Sequence, residues 1–139
     1  MNISIITNEH ADFYPLIGPF LSRRHVVKAY GDTLWDDDGM TWAVARTTEG
    51  KVMGFAALSP RNQGFLLCND YVLPAYRDEQ NTVQSGVIDA LLKQHPVTVF
   101  ATVTAEEAEQ EFYQARGFVF LRHKGRFLQM MRTTGEKEG

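Results

Sequence analysis

The sequence predicts one α/β (α+β) domain: a mixed, mostly antiparallel sheet with helices on both faces and a β-hairpin at the C-terminal end. Three observations predict it. Segments with an apolar residue at every second position alternate with segments whose apolar residues recur every three to four. Clusters of Gly, Pro, Asn and Asp separate them at short intervals. The 139 residues, 44% apolar and 22% charged, suffice for one core and leave no room for a second. The predicted domain spans residues 1–132, and the polar tail 133–139 is expected to be disordered.

Asn2 to Ile6 reads as a first strand. Phe13, Leu16, Ile17, Phe20 and Leu21 then recur at helical spacing, with Gly18-Pro19 expected to kink or break the helix and Val26, Val27 and Tyr30 expected on a second, short one. After the polar stretch Gly31 to Gly39, Trp42 and Val44 alternate with Ala43 and Ala45 as a strand. A turn at Thr48 to Lys51 joins it to the apolar run Val52 to Leu58, so the two form a hairpin. A second turn, Arg61 to Gly64, leads into Phe65 to Leu73, which Pro74 ends.

Val83, Val87, Ala90 and Leu91 mark one buried stripe of a helix that closes before His95-Pro96. Val97, Val99, Ala101 and Val103 alternate as a strand. Thr104 and Glu107 have capping-box spacing, Ala108, Phe112 and Ala115 form the apolar stripe of the helix behind them, and Gly117 suits a left-handed position after its end. Phe118 to Leu121 and Arg126 to Arg132 finish as strands around a turn at Arg122 to Gly125.

Composition narrows the function. A net charge of −3 lacks the basic excess of a protein whose main partner is a phosphate backbone. No run approaches the apolar length of a membrane helix, no secretion signal is readable, and the lone Cys68 fits a reducing compartment, so a soluble cytoplasmic protein is expected. His10, His25 and His95 are scattered without metal-ligand spacing, and no metal site is predicted.

Two segments carry a resemblance. Tyr71-Val72-Leu73-Pro74-Ala75-Tyr76-Arg77 resembles the end of the fourth strand of the GNAT superfamily of N-acyltransferases, where a valine, a proline and a Tyr-Arg pair introduce the cofactor loop. Glu111-Phe112-Tyr113-Gln114-Ala115-Arg116-Gly117-Phe118 resembles that superfamily's Phe-Tyr-x-x-x-Gly-Phe signature on the last helix. The element order agrees over residues 1–132. The resemblance implies splayed fourth and fifth strands, with acetyl-CoA or another acyl-CoA as co-substrate and no metal. The arm of CoA would bond to the backbone of Val72 and Leu73, and its pyrophosphate would sit at the N-terminus of the following helix near Arg77, Gln80, Asn81, Thr82 and Val83.

The loop departs from the resembled pattern. Gln80 and Thr82 stand where small residues usually let the main chain approach the phosphates, Asp78 and Glu79 add carboxylates, and Glu106 replaces an Asn that commonly holds the cofactor arm. By resemblance the reaction is attack of an amine on a thioester, which needs a base and an acid. Tyr113 falls on the position often given the acid role; its structural alternative is a ring buried beside Phe112. Asp70 is the candidate base, or else a residue capping a strand bulge, and Cys68 reads as a small buried thiol.

On the acceptor side, Trp35, Asp36 and Asp38 could attract a cationic amine, or form a solvated acidic loop with Asp32 and Asp37. The predicted partner is a small-molecule amine or a protein amino group, with no membrane; paired subunits are common in the resembled superfamily, so the resemblance admits a homodimer. Two other functions stay open. One is a binding or inhibitory module with lost or altered CoA use, which the loop departures motivate. The other is modification of nucleic acids or nucleotides, which only the basic run Arg122, His123, Lys124 and Arg126 motivates.

Overall fold

The computed structural model describes residues 1–21, 34–94 and 98–133. The second helix expected around Val26 to Tyr30, the residue pair His95-Pro96, Val97 and the tail from residue 134 lie outside the described residues. The elements in order are β1 (Asn2–Ile6), α1 (Phe13–Leu21), β2 (Thr41–Arg46), β3 (Val52–Arg61), β4 (Gly64–Val72), a 3-10 turn (Pro74–Tyr76), α2 (Thr82–Gln94), β5 (Val99–Val103), α3 (Glu107–Gln114), β6 (Val119–Lys124) and β7 (Phe127–Arg132). The strands form one seven-stranded mixed sheet in the order β1-β2-β3-β4-β5-β7-β6. Of the pairings, β4 with β5 is parallel, and β1 with β2, β2 with β3, β5 with β7 and β6 with β7 are antiparallel.

Two compact units divide the chain. The first comprises Met1–Ser59 and Cys68–Leu91, and the second Pro60–Leu67 with the chain from Leu92 onward. In the first, the register places Val44 opposite Phe55 and Trp42 opposite Ala57, so these four share a face. Helix α1 covers that face: Phe13 stacks edge-on against Trp42 at 5.6 Å and Phe20 meets Phe55 at 5.3 Å.

The opposite face carries Ala43, Ala45, Gly54 and Ala56, and all of them small for a reason. A Cβ added at Gly54 would lie 2.8 Å from both the Tyr71 carbonyl oxygen and Val83 Cγ1, and one at Gly86 would lie 2.8 Å from Ile3 Cδ1. Helix α2 therefore sits close on this second face, held by Val83, Val87, Ile88, Leu91 and Leu92, all buried.

In the second unit the parallel pairing runs from Phe65↔Val99 to Leu67↔Ala101. β5 pairs with β7 from Val99↔Arg132 to Val103↔Leu128, and β7 turns back on β6. Gly117 adopts φ 91° after α3, the left-handed position that glycine reaches without steric cost.

Four local expectations are corrected. Gly18-Pro19 does not end α1, which runs unbroken to Leu21 because Phe13, Ile17 and Phe20 are buried on both sides of the proline and hold the turn in place. Thr104 does not form a capping box with Glu107: α3 begins later, at Glu107 itself, and the Thr104 hydroxyl donates to Glu109 at 2.7 Å. Within α3 the buried residue is Tyr113, whereas Ala108 and Ala115 are exposed and Phe112 half-buried, so the inward face is turned by one residue. The final turn lies at Gly125-Arg126, and Arg122, His123 and Lys124 belong to β6, where an edge strand tolerates charge.

Candidate active site

Strand β4 loses its simple alternation at Asn69. This residue has φ 58°, a left-handed conformation that asparagine tolerates better than most residues. It is fully buried, and its side chain is spent on the chain before β2: Nδ2 donates to the Trp35 carbonyl at 2.6 Å, and Oδ1 accepts from the Trp35 N–H at 3.4 Å. Beyond this step Asp70, Tyr71 and Val72 all line one cavity of about 220 Å³ in the first unit.

The loop after β4 and the start of α2 complete the lining. Arg77 lies over the Tyr71 ring, 5.5 Å from its centroid, and its Nε donates to the Val72 carbonyl at 2.7 Å. Tyr76, Asp78 and Asn81 to Gln84 supply much of the remaining wall. Asn81 has φ 54°, and Ser85 N–H donates to its carbonyl, the first bond of α2. The N–H groups of Thr82, Val83 and Gln84 precede that bond and have no carbonyl within the helix to accept them, and the helix dipole adds partial positive charge there.

Asp78 has taken one of these positions. Its Oδ1 accepts from the Thr82 N–H at 2.9 Å and its Oδ2 from the Thr82 hydroxyl at 2.7 Å. The Thr82 hydroxyl, followed by the Thr82 backbone N–H, holds the Asp78 carboxyl below the usual carboxylate range. A carboxylate of the chain thus occupies part of the anion seat that the helix end creates.

The sequence-derived candidates divide accordingly. Asp70, Val72, Arg77, Asn81, Thr82 and Val83 come together around the cavity, while Leu73 and Gln80 are absent from its lining. Two backbone groups expected to grip a cofactor arm already have partners: the Val72 carbonyl accepts from Arg77, and the Leu73 N–H donates to the Met53 carbonyl at 3.0 Å. Tyr113 and Glu106 belong to the second unit. Tyr113 is 3% exposed, its ring edge-on to Phe112 at 5.1 Å and to Phe118 at 5.4 Å.

The acidic loop has internal duties. Asp36 accepts from the indole N–H of the buried Trp42 and from Asn8, both at 3.0 Å, and Asp38 accepts from Asn8 at 3.4 Å. Trp35 is half-buried and tied to Asn69 through its backbone. Cys68 is buried. Among the described residues, no group of three or more His, Cys, Asp and Glu side chains could hold a metal ion, and no helix is long and apolar enough to cross a membrane.

Sequence reasoning did not single out Asn69. The signal for Asn69 was present: an amide inside an apolar strand must find buried partners, and a strand interior offers few unless the backbone departs from extended geometry.

No known family model matches the sequence, and neither does any curated protein. Solved structures do match. An acyl-CoA N-acyltransferase from Pseudomonas aeruginosa superposes with a TM-score of 0.70 at 12% identity, covering 95% of this chain and 99% of the other. An acetyltransferase of the GNAT family from Staphylococcus aureus gives 0.63 at 15% identity with the same coverage. Aminoglycoside 6'-acetyltransferase type Ii gives 0.67 at 15% identity, covering 96% and 97% of the two chains. The chain has the GNAT fold.

Proposed function

We propose that this chain is an acyl-CoA-dependent N-acyltransferase, moving an acetyl or related acyl group to a primary amine of a small molecule or protein. The observation that carries the reading is the cavity at the start of α2, where β4, a guanidinium, a helix N-terminus and a carboxylate converge in a chain of GNAT fold. The acyl-CoA supplies the thioester together with a pyrophosphate and a long amide-bearing arm. The chain's own groups fit these needs in part. The N–H groups of Val83 and Gln84, the side chain of Asn81, and Arg77 would hold the pyrophosphate, with the Thr82 hydroxyl joining them only on giving up its bond to Asp78, and other backbone atoms of Val72 and Leu73 would align the arm. Asp78 opposes a polyanion at the same place.

In this reading Asp70, on the cavity wall, takes the proton from the acceptor ammonium. Tyr113 returns a proton to the leaving sulfur, a role resting on its place in the signature segment. An amine acceptor accords with the aminoglycoside named for one structural neighbour, and Trp35, Asp36 and Asp38 are the residues proposed to meet it.

Two measurements test the proposal. Acetyl-CoA at 100 times its dissociation constant should stabilise the full chain by about 2.7 kcal/mol in a thermal-shift titration. Acetyl-CoA with a panel of amines should release thiol, and Asp70→Asn should slow that release with cofactor affinity kept. No thermal shift at millimolar acetyl-CoA sinks the reading. It would favour a second one, a GNAT-fold binding module without CoA use, for which the Asp78 carboxylate at the head of α2 is the specific observation.

A further inference from the structure

Strand β6 ends the sheet, and among the described residues it pairs with β7 alone. Part of its backbone N–H and C=O groups therefore points away from β7, as on any edge strand. Two sets of side chains stand on this edge. Val119 and Phe120, consecutive in sequence, are 59% and 54% exposed, and Arg122, His123 and Lys124 follow them, all exposed. The register shifts between Phe120 and Arg122, so a bulge at Leu121 divides an apolar half from a cationic half.

The pairing also sorts these residues by face. Val119, Arg122 and Lys124 lie opposite Met131, Gln129 and Phe127 and share one face. Phe120 and His123 lie opposite Met130 and Leu128 on the other, their rings 5.2 Å apart. The charge keeps one sign over a longer stretch. From Phe112 to Arg132 the sequence holds five Lys and Arg and no Asp or Glu, in a chain whose net charge is −3.

We propose that the outer edge of β6 receives an extended segment of another protein in which acidic and apolar residues alternate. The backbone of the edge pairs with such a segment as with an added strand. Acidic side chains of the segment meet Arg122 and Lys124 on one face, and its apolar side chains cover Phe120 on the other. Charge placed only to keep an edge unpaired would not leave two adjacent large apolar residues exposed beside it. A second copy of β6 fits poorly. Antiparallel pairing sets the apolar half of one copy against the cationic half of the other, parallel pairing stacks cation on cation, and either brings a bulge against a bulge. A nucleic acid would use the cations but not the backbone of the strand.

The test titrates the full chain, 15N-labelled and without cofactor, with a peptide of alternating glutamate and valine. Amide resonances from Val119 to Lys124 should shift, and binding should weaken as salt rises. A peptide alternating lysine and valine, and the glutamate peptide N-methylated throughout so that its backbone cannot donate, should each bind at least about tenfold more weakly. Arg122→Glu with Lys124→Glu should invert the preference between the glutamate and lysine peptides while acetyl-CoA affinity stays unchanged, so failure here is separable from failure of the acyltransferase reading. Absence of binding, equal binding by the N-methylated peptide, indifference to the sign of the charge, or shifts confined to other residues would each overturn the proposal. So would tighter binding of a single-stranded oligonucleotide at the same residues, or self-association in sedimentation that protects the β6 amides from exchange. Should the double variant melt early, the lysine and N-methylated peptides decide the matter on the wild-type chain.

Discussion

Replacing Asn69 separates two things this residue supplies at once. Asn69→Gly keeps the left-handed backbone accessible but removes the amide, leaving the Trp35 carbonyl and N–H without the partners they have at 2.6 and 3.4 Å. Because one of these bonds is short and the other long, the loss corresponds to one good hydrogen bond plus a partial one, a cost of about 1–3 kcal/mol. Asn69→Ala removes the same bonds and also places a Cβ at φ 58°, which adds about 1 kcal/mol or more. Urea denaturation followed by tryptophan fluorescence should therefore rank wild type, Gly and Ala in descending stability. The Gly-to-Ala gap should be roughly 4 °C in melting temperature for a domain of this size. Trp35 emission should shift to the red in both variants as its segment loosens. If Ala proves as stable as Gly, the left-handed step is not what Asn69 provides; if neither loses more than about 0.5 kcal/mol, the bridge to Trp35 does not hold the segment.

Gly54→Ala should cost about 1–3 kcal/mol, because the added methyl meets the Tyr71 carbonyl and Val83 at 2.8 Å and backbone cannot yield as a side-chain tip can; melting curves in denaturant check it. Asp78 has a folded-state pKa below its unfolded one, so the order it gives the start of α2 is present above the unfolded pKa and is lost as pH falls through the depressed value. Exchange protection of the Thr82 amide should fall over that acidic window in wild type and show no such transition in Asp78→Ser, which should also bind acetyl-CoA more tightly; weaker binding would mean that the carboxylate shapes the seat rather than opposing it. Tyr113→Phe should slow thiol release with acetyl-CoA affinity unchanged, and full turnover would leave the tyrosine a packing residue.

The sequence was most informative where periodicity was strong. β1 matches its expected bounds, the β2–β3 hairpin and the buried stripe of α2 follow directly from alternation and from i, i+4 spacing, and Gly117 was identifiable from its place after a helix. Legibility failed where several weak signals competed. α3 has eight residues, with too few apolar side chains to fix a face, so Tyr113 was read beside the stripe rather than as its buried centre. Arg122, His123 and Lys124 look like a turn because charge usually marks one, yet an edge strand exposes the same side chains. The Tyr71 to Arg77 segment that the sequence singles out does lead into the cavity, but its bonds there were not legible. Nothing in composition or spacing showed that Arg77 would turn back to the Val72 carbonyl, that Asp36 would serve the indole of Trp42, or that Asp78 would reach Thr82.

In the acyltransferase reading proposed above, the Asp78 carboxylate at the head of α2 would set a threshold on what can enter. Sulfate or free phosphate offers little beyond charge and must displace a group already tethered in place, at the high effective concentration that covalent attachment confers. A long ligand that gains contacts elsewhere along the cavity can prevail at the same spot. The resident acid would thus turn a generic anion seat into one that discriminates by molecular length, ignoring the abundant small anions of a cell.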